Sequence, residues 1–482
     1  MTCGPDAIIL TEAGLGRGLG HLGRGIALAE ALTELGARPR LFVRGIDRVP
    51  KAFAAGGVVE AAEWLDELPP ALAGCGIAVV DSYEAPAQLY ARVAETARIG
   101  VWMDDTGLLD YPPGLVVGGI RGGAKDVEPL QVGTALVRGP RFQLLRRPFW
   151  NLDGHPVRDD VRRIFVVMGG TDLRGLGPRL VAALSAAYPS VELDLAEGER
   201  SASEMIEAMA AADLGVTAVG QTSFELAAAG LPAVGIVAAD NQRSNARGLA
   251  DAGFLRLAGD WNDRDLEDRV VEAAVGLWPR DVRARSASAG RALCDGRGAL
   301  RVASRALAAW RASLIVLRPA TIADEAPLLA ISNDPQVRAA SFDSEPIPAD
   351  DHHAWFERRL TDSDSLLFVV EDMSEVMGLV RFAVEGRSAT VGIALAPRVR
   401  GKGLAVPYSN RGSWGSLPSG RTSDVPSRSS VRRTTPRGQC SRRQALLKKG
   451  LLRGRRSPPF VSFAPCSARA GLRWGSTTAT GL

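Results

Sequence analysis

The chain has 482 residues, 46% of them hydrophobic, which suits about three globular domains rather than a disordered or fibrous protein. Five cysteines (Cys3, Cys75, Cys294, Cys440, Cys466) without CxxC or Cys/His spacing argue against a disulfide framework and structural zinc. No apolar run reaches membrane-spanning length and no leader opens the chain, so a cytoplasmic setting is expected. The net charge of +4 is unevenly spread: residues 406–482 hold thirteen arginines, two lysines and one acid, Asp424, for a net +14, leaving −10 for the rest and no specific nucleic-acid partner for the body.

In chain order, an apolar strand over 7–10 runs into a glycine-dense stretch from Thr11 to Arg24, and a helix is expected over 26–35. Glycines without a Cβ let backbone amides approach a ligand, and the helix that follows turns its N-terminal N–H groups toward an anion. His21, one of four histidines, stands at the mouth of this loop, where a neutral imidazole can take a proton from water or a hydroxyl. The dinucleotide fingerprint is not met, because the acidic residue expected about 20 positions on is missing and Val43 runs into Arg44. Apolar runs at 41–43, 77–81, 99–105 and 115–117 read as strands of a doubly covered parallel sheet, with a helix over 86–97. Asp81, Asp104 and Asp105 at strand ends either share a crevice with His21 or cap the next turn.

A second α/β pattern starts with a strand over 164–168, followed by Gly169-Gly170-Thr171-Asp172, strands over 191–195, 214–217, 233–237 and 255–258, and helical sequence over 263–310 that closes this half. Two such domains in tandem imply a cleft between them. Gly220-Gln221-Thr222-Ser223-Phe224-Glu225 places small polar residues at a helix start, suited to a diphosphate, and a carboxylate in the first turn that can accept both hydroxyls of a ribose. Asn241, Gln242 and Asn245 add neutral donors. The alternative is that Thr222 and Ser223 are N-caps and Glu225 a capping-box acid.

From Ser313 the pattern changes to a strand over 314–321, Asp324, a helix over 351–360, strands over 366–371, 378–382 and 389–395, and then Arg398-Val399-Arg400-Gly401-Lys402-Gly403. The expected organisation is a Rossmann-like domain over 1–150, a second over 151–312, a partial α+β domain over 313–405, and a basic Ser/Arg/Pro/Gly-rich tail over 406–482 that is disordered or frameshifted.

Gly18-Leu19-Gly20-His21 with Arg24, Met168-Gly169-Gly170-Thr171-Asp172, Gly220 to Glu225, and Asp240-Asn241-Gln242 with Asn245-Ala246 resemble, in this order, the UDP-2,4-diacetamido-2,4,6-trideoxy-β-L-altropyranose hydrolases of pseudaminic acid biosynthesis, which have a GT-B-type fold. The resemblance implies His21 as the base that activates water, Gly18 and Gly20 as the loop near the diphosphate, and Glu225 as the ribose ligand. It further implies that Arg24, Gly170, Thr171, Thr222, Ser223, Asn241, Gln242 and Asn245 contact a UDP-sugar, with neither cofactor nor metal. Thr11 and Glu12 stand where that family commonly has an Arg and an Asp, a difference that bears on which sugar is taken. Residues 313–405 resemble GNAT acetyltransferases, which implies acetyl-CoA whose pyrophosphate is held by the backbone amides of the loop with Arg398, Arg400, Gly401 and Gly403. Two further readings are a GT-B UDP-sugar glycosyltransferase and, in another class, a polyanion-binding protein acting through the tail.

Overall fold

The structure, a computed structural model, describes residues 4–400 except 15–17, 48–57, 106–109, 119–126, 132–133, 171, 173, 197, 199, 342, 373–374 and 386–387, together with 431–433 and 477–480. It divides into two compact units, Met1–Ser313 and Leu314–Leu482.

The first lobe of the first unit contains β1 (Asp6–Glu12), α1 (Gly20–Glu34), β2 (Arg38–Arg44), β3 (Val58–Ala61), β4 (Ile77–Asp81), α2 (Ala87–Thr96), β5 (Ile99–Asp104), β6 (Gly114–Gly118), β7 (Val127–Gln131) and β8 (Thr134–Arg138). They form one sheet in the order β3-β2-β1-β4-β5-β6-β8-β7, parallel throughout except for β7 against β8. Ile8 and Leu10 pack on one face, while Ala7 and Ile9 pack with Leu22, Ile26 and Leu32 on the other, which is why β1 reads as an unbroken apolar run. The chain leaves β1 for β2 on one side and later inserts β4 on the other, so the crevice outside their C-terminal ends is the switch point where doubly wound sheets take ligands.

The second lobe repeats the plan with β9 (Arg163–Val167), α3 (Leu176–Ala187), β10 (Glu192–Leu195), α4 (Ala202–Ala211), β11 (Leu214–Ala218), α5 (Gln221–Ala229), β12 (Ala233–Val237), α6 (Arg243–Asp251), β13 (Leu255–Asp260), α7 (Leu266–Val275) and α8 (Arg280–Leu293). Its five-stranded sheet, β10-β9-β11-β12-β13, is parallel, and its switch point lies between β9 and β11. Two tandem Rossmann-like lobes are therefore present. One segment departs from the expected order: α9 (Gly298–Ser313), which the sequence groups with the second lobe, buries Ala299, Val302, Ala303, Ala306 and Leu307 in the core of the first. Its apolar stripe specifies a buried face but not which lobe receives it.

The second unit contains β14 (Ile315–Pro319), α10 (Glu325–Ser332), α11 (Pro335–Ala339), α12 (Ala349–Thr361), β15 (Ser365–Asp372), β16 (Glu375–Glu385) and β17 (Ser388–Leu395). The four strands form an antiparallel sheet in chain order around Phe356, Val369 and Leu379. Two short strands from the tail, β18 (Val431–Arg433) and β19 (Thr477–Thr480), extend its edge in the order β17-β19-β18. Among the described residues, no helix is long and apolar enough to cross a membrane.

Candidate active site

The loop after β1 closes on itself through paired backbone bonds between Gly14 and Gly18, of 3.2 and 3.0 Å. Gly14 has φ +114°, and a Cβ there would meet the carbonyl oxygen of Gly45 at 2.1 Å, so only glycine suits the position. Helix α1 begins at Gly20, six residues earlier than the apolar pattern indicates, because its first turn, Gly20-His21-Leu22-Gly23, holds a single aliphatic residue between polar and glycine positions. His21 and Arg24 consequently lie three apart on one helix face, above the C-terminal end of β4.

There Asp81 ends β4, 2% exposed. Its Oδ1 accepts from His21 Nδ1 at 2.7 Å and from Arg24 Nη2 at 2.7 Å, and its Oδ2 accepts from Arg24 Nε at 3.1 Å. Burial pushes the Asp81 carboxyl up, but Arg24 and His21 outweigh it and bring it down to about 2. An ionised Asp81 accepts only, so the imidazole proton sits on Nδ1 and the basic lone pair is on Nε2. Arg24 Nη1 reaches Asp105 Oδ2 at 2.6 Å. Burial works against the Arg24 charge, yet Asp105 and Asp81 outweigh it and keep the guanidinium protonated. Asp105 is likewise lowered, against its own burial, chiefly by Arg24. Asp104 instead engages Tyr111. Asp81 and Asp105 thus serve the crevice rather than cap a turn, and Asp81 is the one that orients His21.

Tyr83, two residues past β4, was not singled out by the sequence. Its hydroxyl donates to Asp105 Oδ2 at 2.7 Å and accepts from Asn241 Nδ2 of the other lobe at 3.0 Å, and its ring meets His21 edge-on with centroids 4.4 Å apart. Tyr83 is 51% exposed as a whole, but partial desolvation of its hydroxyl, seconded by Asp105, raises it well above its ordinary range, so it remains a donor. Glu12, 1% exposed at the end of β1, accepts from Ser82 Oγ at 2.8 Å and Tyr83 N at 3.0 Å, fixing the turn that carries Tyr83.

Across from these groups, α5 starts at Gln221 with Gly220 as its N-cap residue and no side-chain cap. The capping readings of Thr222, Ser223 and Glu225 therefore do not hold, and the helix start opens on the cleft through Gly220, Gln221 and Thr222. Glu225 lies 3.5 Å from Arg146. Burial raises its carboxyl pKa, and Arg146 only partly opposes this. Gln242 Oε1 accepts from Ala238 N at 2.9 Å.

One cleft of about 890 Å³ between the lobes is lined by Gly18, Gly20, His21 and Arg24 from the first, and by Gly170, Thr222, Glu225, Asn241, Gln242 and Asn245 from the second. Ser223 is a correction: it is fully buried, its hydroxyl donating to Gly220 O at 2.6 Å, so it shapes the helix start rather than facing the cleft. Thr171 lies outside the described residues.

In the second unit, Arg398 pairs with Glu375 at 2.6 Å, and Arg400 pairs with Asp334 at 2.6 Å and donates to Leu395 O at 2.8 Å. Neither lines the cavity of about 500 Å³ between α12 and the sheet, where His352 lies buried with both ring nitrogens unbonded. The resemblance gives the coenzyme to the backbone amides of this loop, of which Gly401 and Gly403 lie outside the described residues.

Residues 315–409 match the acetyltransferase (GNAT) domain family, whose group donor is acetyl-CoA. No curated protein matches the chain. Among solved structures, the chain is similar to the glycotransferase of kitacinnamycin (16% identity, 63% of this chain and 98% of that one, TM-score 0.43). It is also similar to MurG of Acinetobacter baumannii (15%, 62% and 99%, 0.41) and to CalG4, the calicheamicin glycosyltransferase (16%, 63% and 98%, 0.39).

Proposed function

We propose that the first unit is a nucleotide-sugar hydrolase that releases UDP from a UDP-linked diacetamido-trideoxy sugar in nonulosonic (pseudaminic) acid synthesis, and that the GNAT unit belongs to an N-acetylation step on a related amino sugar. The observation that carries the first reading is the His21–Asp81 pair at one switch point, facing across a single cleft the open start of α5 at the other. Water in the cleft gives a proton to His21 Nε2 as its oxygen bonds to the anomeric carbon. The bond from that carbon to the phosphate oxygen breaks, and UDP leaves toward the amides at the start of α5, with inversion in a single displacement. UDP is already a good leaving group, so positioning water and removing its proton are the main tasks. Glu225, held by Arg146, takes the ribose hydroxyls in this reading.

The test is to incubate the protein with a panel of UDP-sugars without acceptor and follow UDP and free sugar by NMR. Equimolar UDP and free sugar are expected. Release that requires an added alcohol assigns the unit to the glycosyltransferases instead.

Closure of the cleft also rests on Gly170. A Cβ at this position would come within 2.9 Å of Leu19 Cδ1, between the two glycines of the first loop. Gly170→Ala is expected to hold the lobes apart and weaken UDP binding about tenfold by calorimetry, since small misplacements are costly in an assembled site. Unchanged affinity would show that the lobes do not need this close approach.

A further inference from the structure

Resting on the nucleotide-sugar reading, we infer that Tyr83 and Asn241 are positioning residues that transmit the seating of the nucleotide in the second lobe to the orientation of His21 in the first. An unbroken chain of bonds links the two lobes. Asn241 Nδ2 donates to the Tyr83 hydroxyl at 3.0 Å, which donates to Asp105 at 2.7 Å, which holds Arg24 at 2.6 Å. Arg24 shares Asp81 Oδ1 with His21, each at 2.7 Å.

Three features tie this contact, exposed at Tyr83 and Asn241, to the buried His21–Asp81 pair. Asp81 and Asp105 each accept from more than one side chain, so a change at one donor is felt by the other. Tyr83 touches His21 a second way, through the ring edge at 4.4 Å, so a shift of its hydroxyl also tilts the surface against which the imidazole rests. Asn241 belongs to the short turn Asp240–Gln242, whose Gln242 is tied to Ala238 and lines the cleft beside Gly220, where the diphosphate would lie. A nucleotide that draws this turn toward the start of α5 moves the Asn241 amide, and with it the Tyr83 hydroxyl. The sequence reading gives Asn241 to the UDP-sugar; here its amide is a protein–protein donor, and its role is to report that the nucleotide is in place. The chemical consequence is that the seating of the leaving group is felt at the proton acceptor.

The experiment uses the full chain labelled at histidine, with UDP as the probe and His21→Gln to assign the ring signals. In wild type, UDP is expected to shift the His21 ring resonances. In Tyr83→Phe, which keeps the ring and loses the hydroxyl, and in Asn241→Ala, UDP should still bind within about threefold of wild type while the His21 shift is lost. In turnover, each single variant should lower kcat about tenfold with little change in KM, and the double variant should be no worse than the poorer single, since both cut one chain. An unaltered His21 shift in Tyr83→Phe, or kcat losses that multiply in the double variant, overturns the inference. If wild type binds no UDP, the nucleotide reading itself fails, an outcome distinct from either of those.

Discussion

Replacing His21 with alanine is expected to lower the rate of UDP release by about two to four orders of magnitude, the usual contribution of a positioned proton acceptor, with KM changed by less than about threefold. The asymmetry follows from the site. His21 and Asp81 are buried at the end of the first lobe's β4, whereas the start of α5 and Glu225, which hold the nucleotide in this reading, belong to the second lobe. Asp81→Asn keeps the shape but removes the charge that fixes the proton on Nδ1, and a loss of about ten- to a hundredfold is expected. Because Asp81 is brought down to about 2, its carboxylate is ionised from pH 4 upward, so the charge that Asp81→Asn removes is present at both pH 6 and pH 8. Steady-state UDP release over that range checks both results. His21→Ala turning over at the wild-type rate would reassign the proton acceptor.

Much of this geometry is visible in the amino-acid order, for a physical reason. Parallel strands covered on both faces must be apolar at consecutive positions, so β1, β4, β9, β11 and β12 announce themselves, and the rule that ligands gather at C-terminal strand ends draws the eye to Asp81 and Asp105. The short strands β3 and β8 do not stand out: Val58–Ala61 places a glutamate within four residues, and Thr134–Arg138 offers only Ala135, Leu136 and Val137 as an apolar run. Tyr83 escapes notice because an aromatic residue in a loop has no periodic signature, and its Asn241 partner lies 158 residues away. Helix α9 shows the same limit on a larger scale, since periodicity fixes its inner face but not its destination.

The largest stability effect is expected at Arg24. Its guanidinium, with the side chain 11% exposed, is the cation between Asp81 and Asp105, whose side chains are 3% and 21% exposed. Arg24→Leu leaves two ionised carboxylates close together and largely desolvated, and a loss of about 3–5 kcal/mol at pH 7 is expected, because stranding a buried charge costs far more than an intact pair contributes. The pH dependence has a definite sign. In the wild type both carboxyls titrate below their ordinary value, so the stability they confer is complete above the unfolded-state pKa near 4 and drains away as pH falls toward about 2. In Arg24→Leu the same carboxyls lose the guanidinium while burial still pushes them up, and protonating them relieves the penalty. The gap between wild type and variant should therefore be widest at neutral pH and narrow as pH falls through the carboxylate range. Urea denaturation of both proteins at pH 7, 5 and 3, followed by the fluorescence of buried Trp64 and Trp102, measures that gap. A gap independent of pH would mean that the arginine acts through the packing of its aliphatic stem against the first turn of α1. The charge pairing that orients His21 would then have to be sought in Asp81 alone.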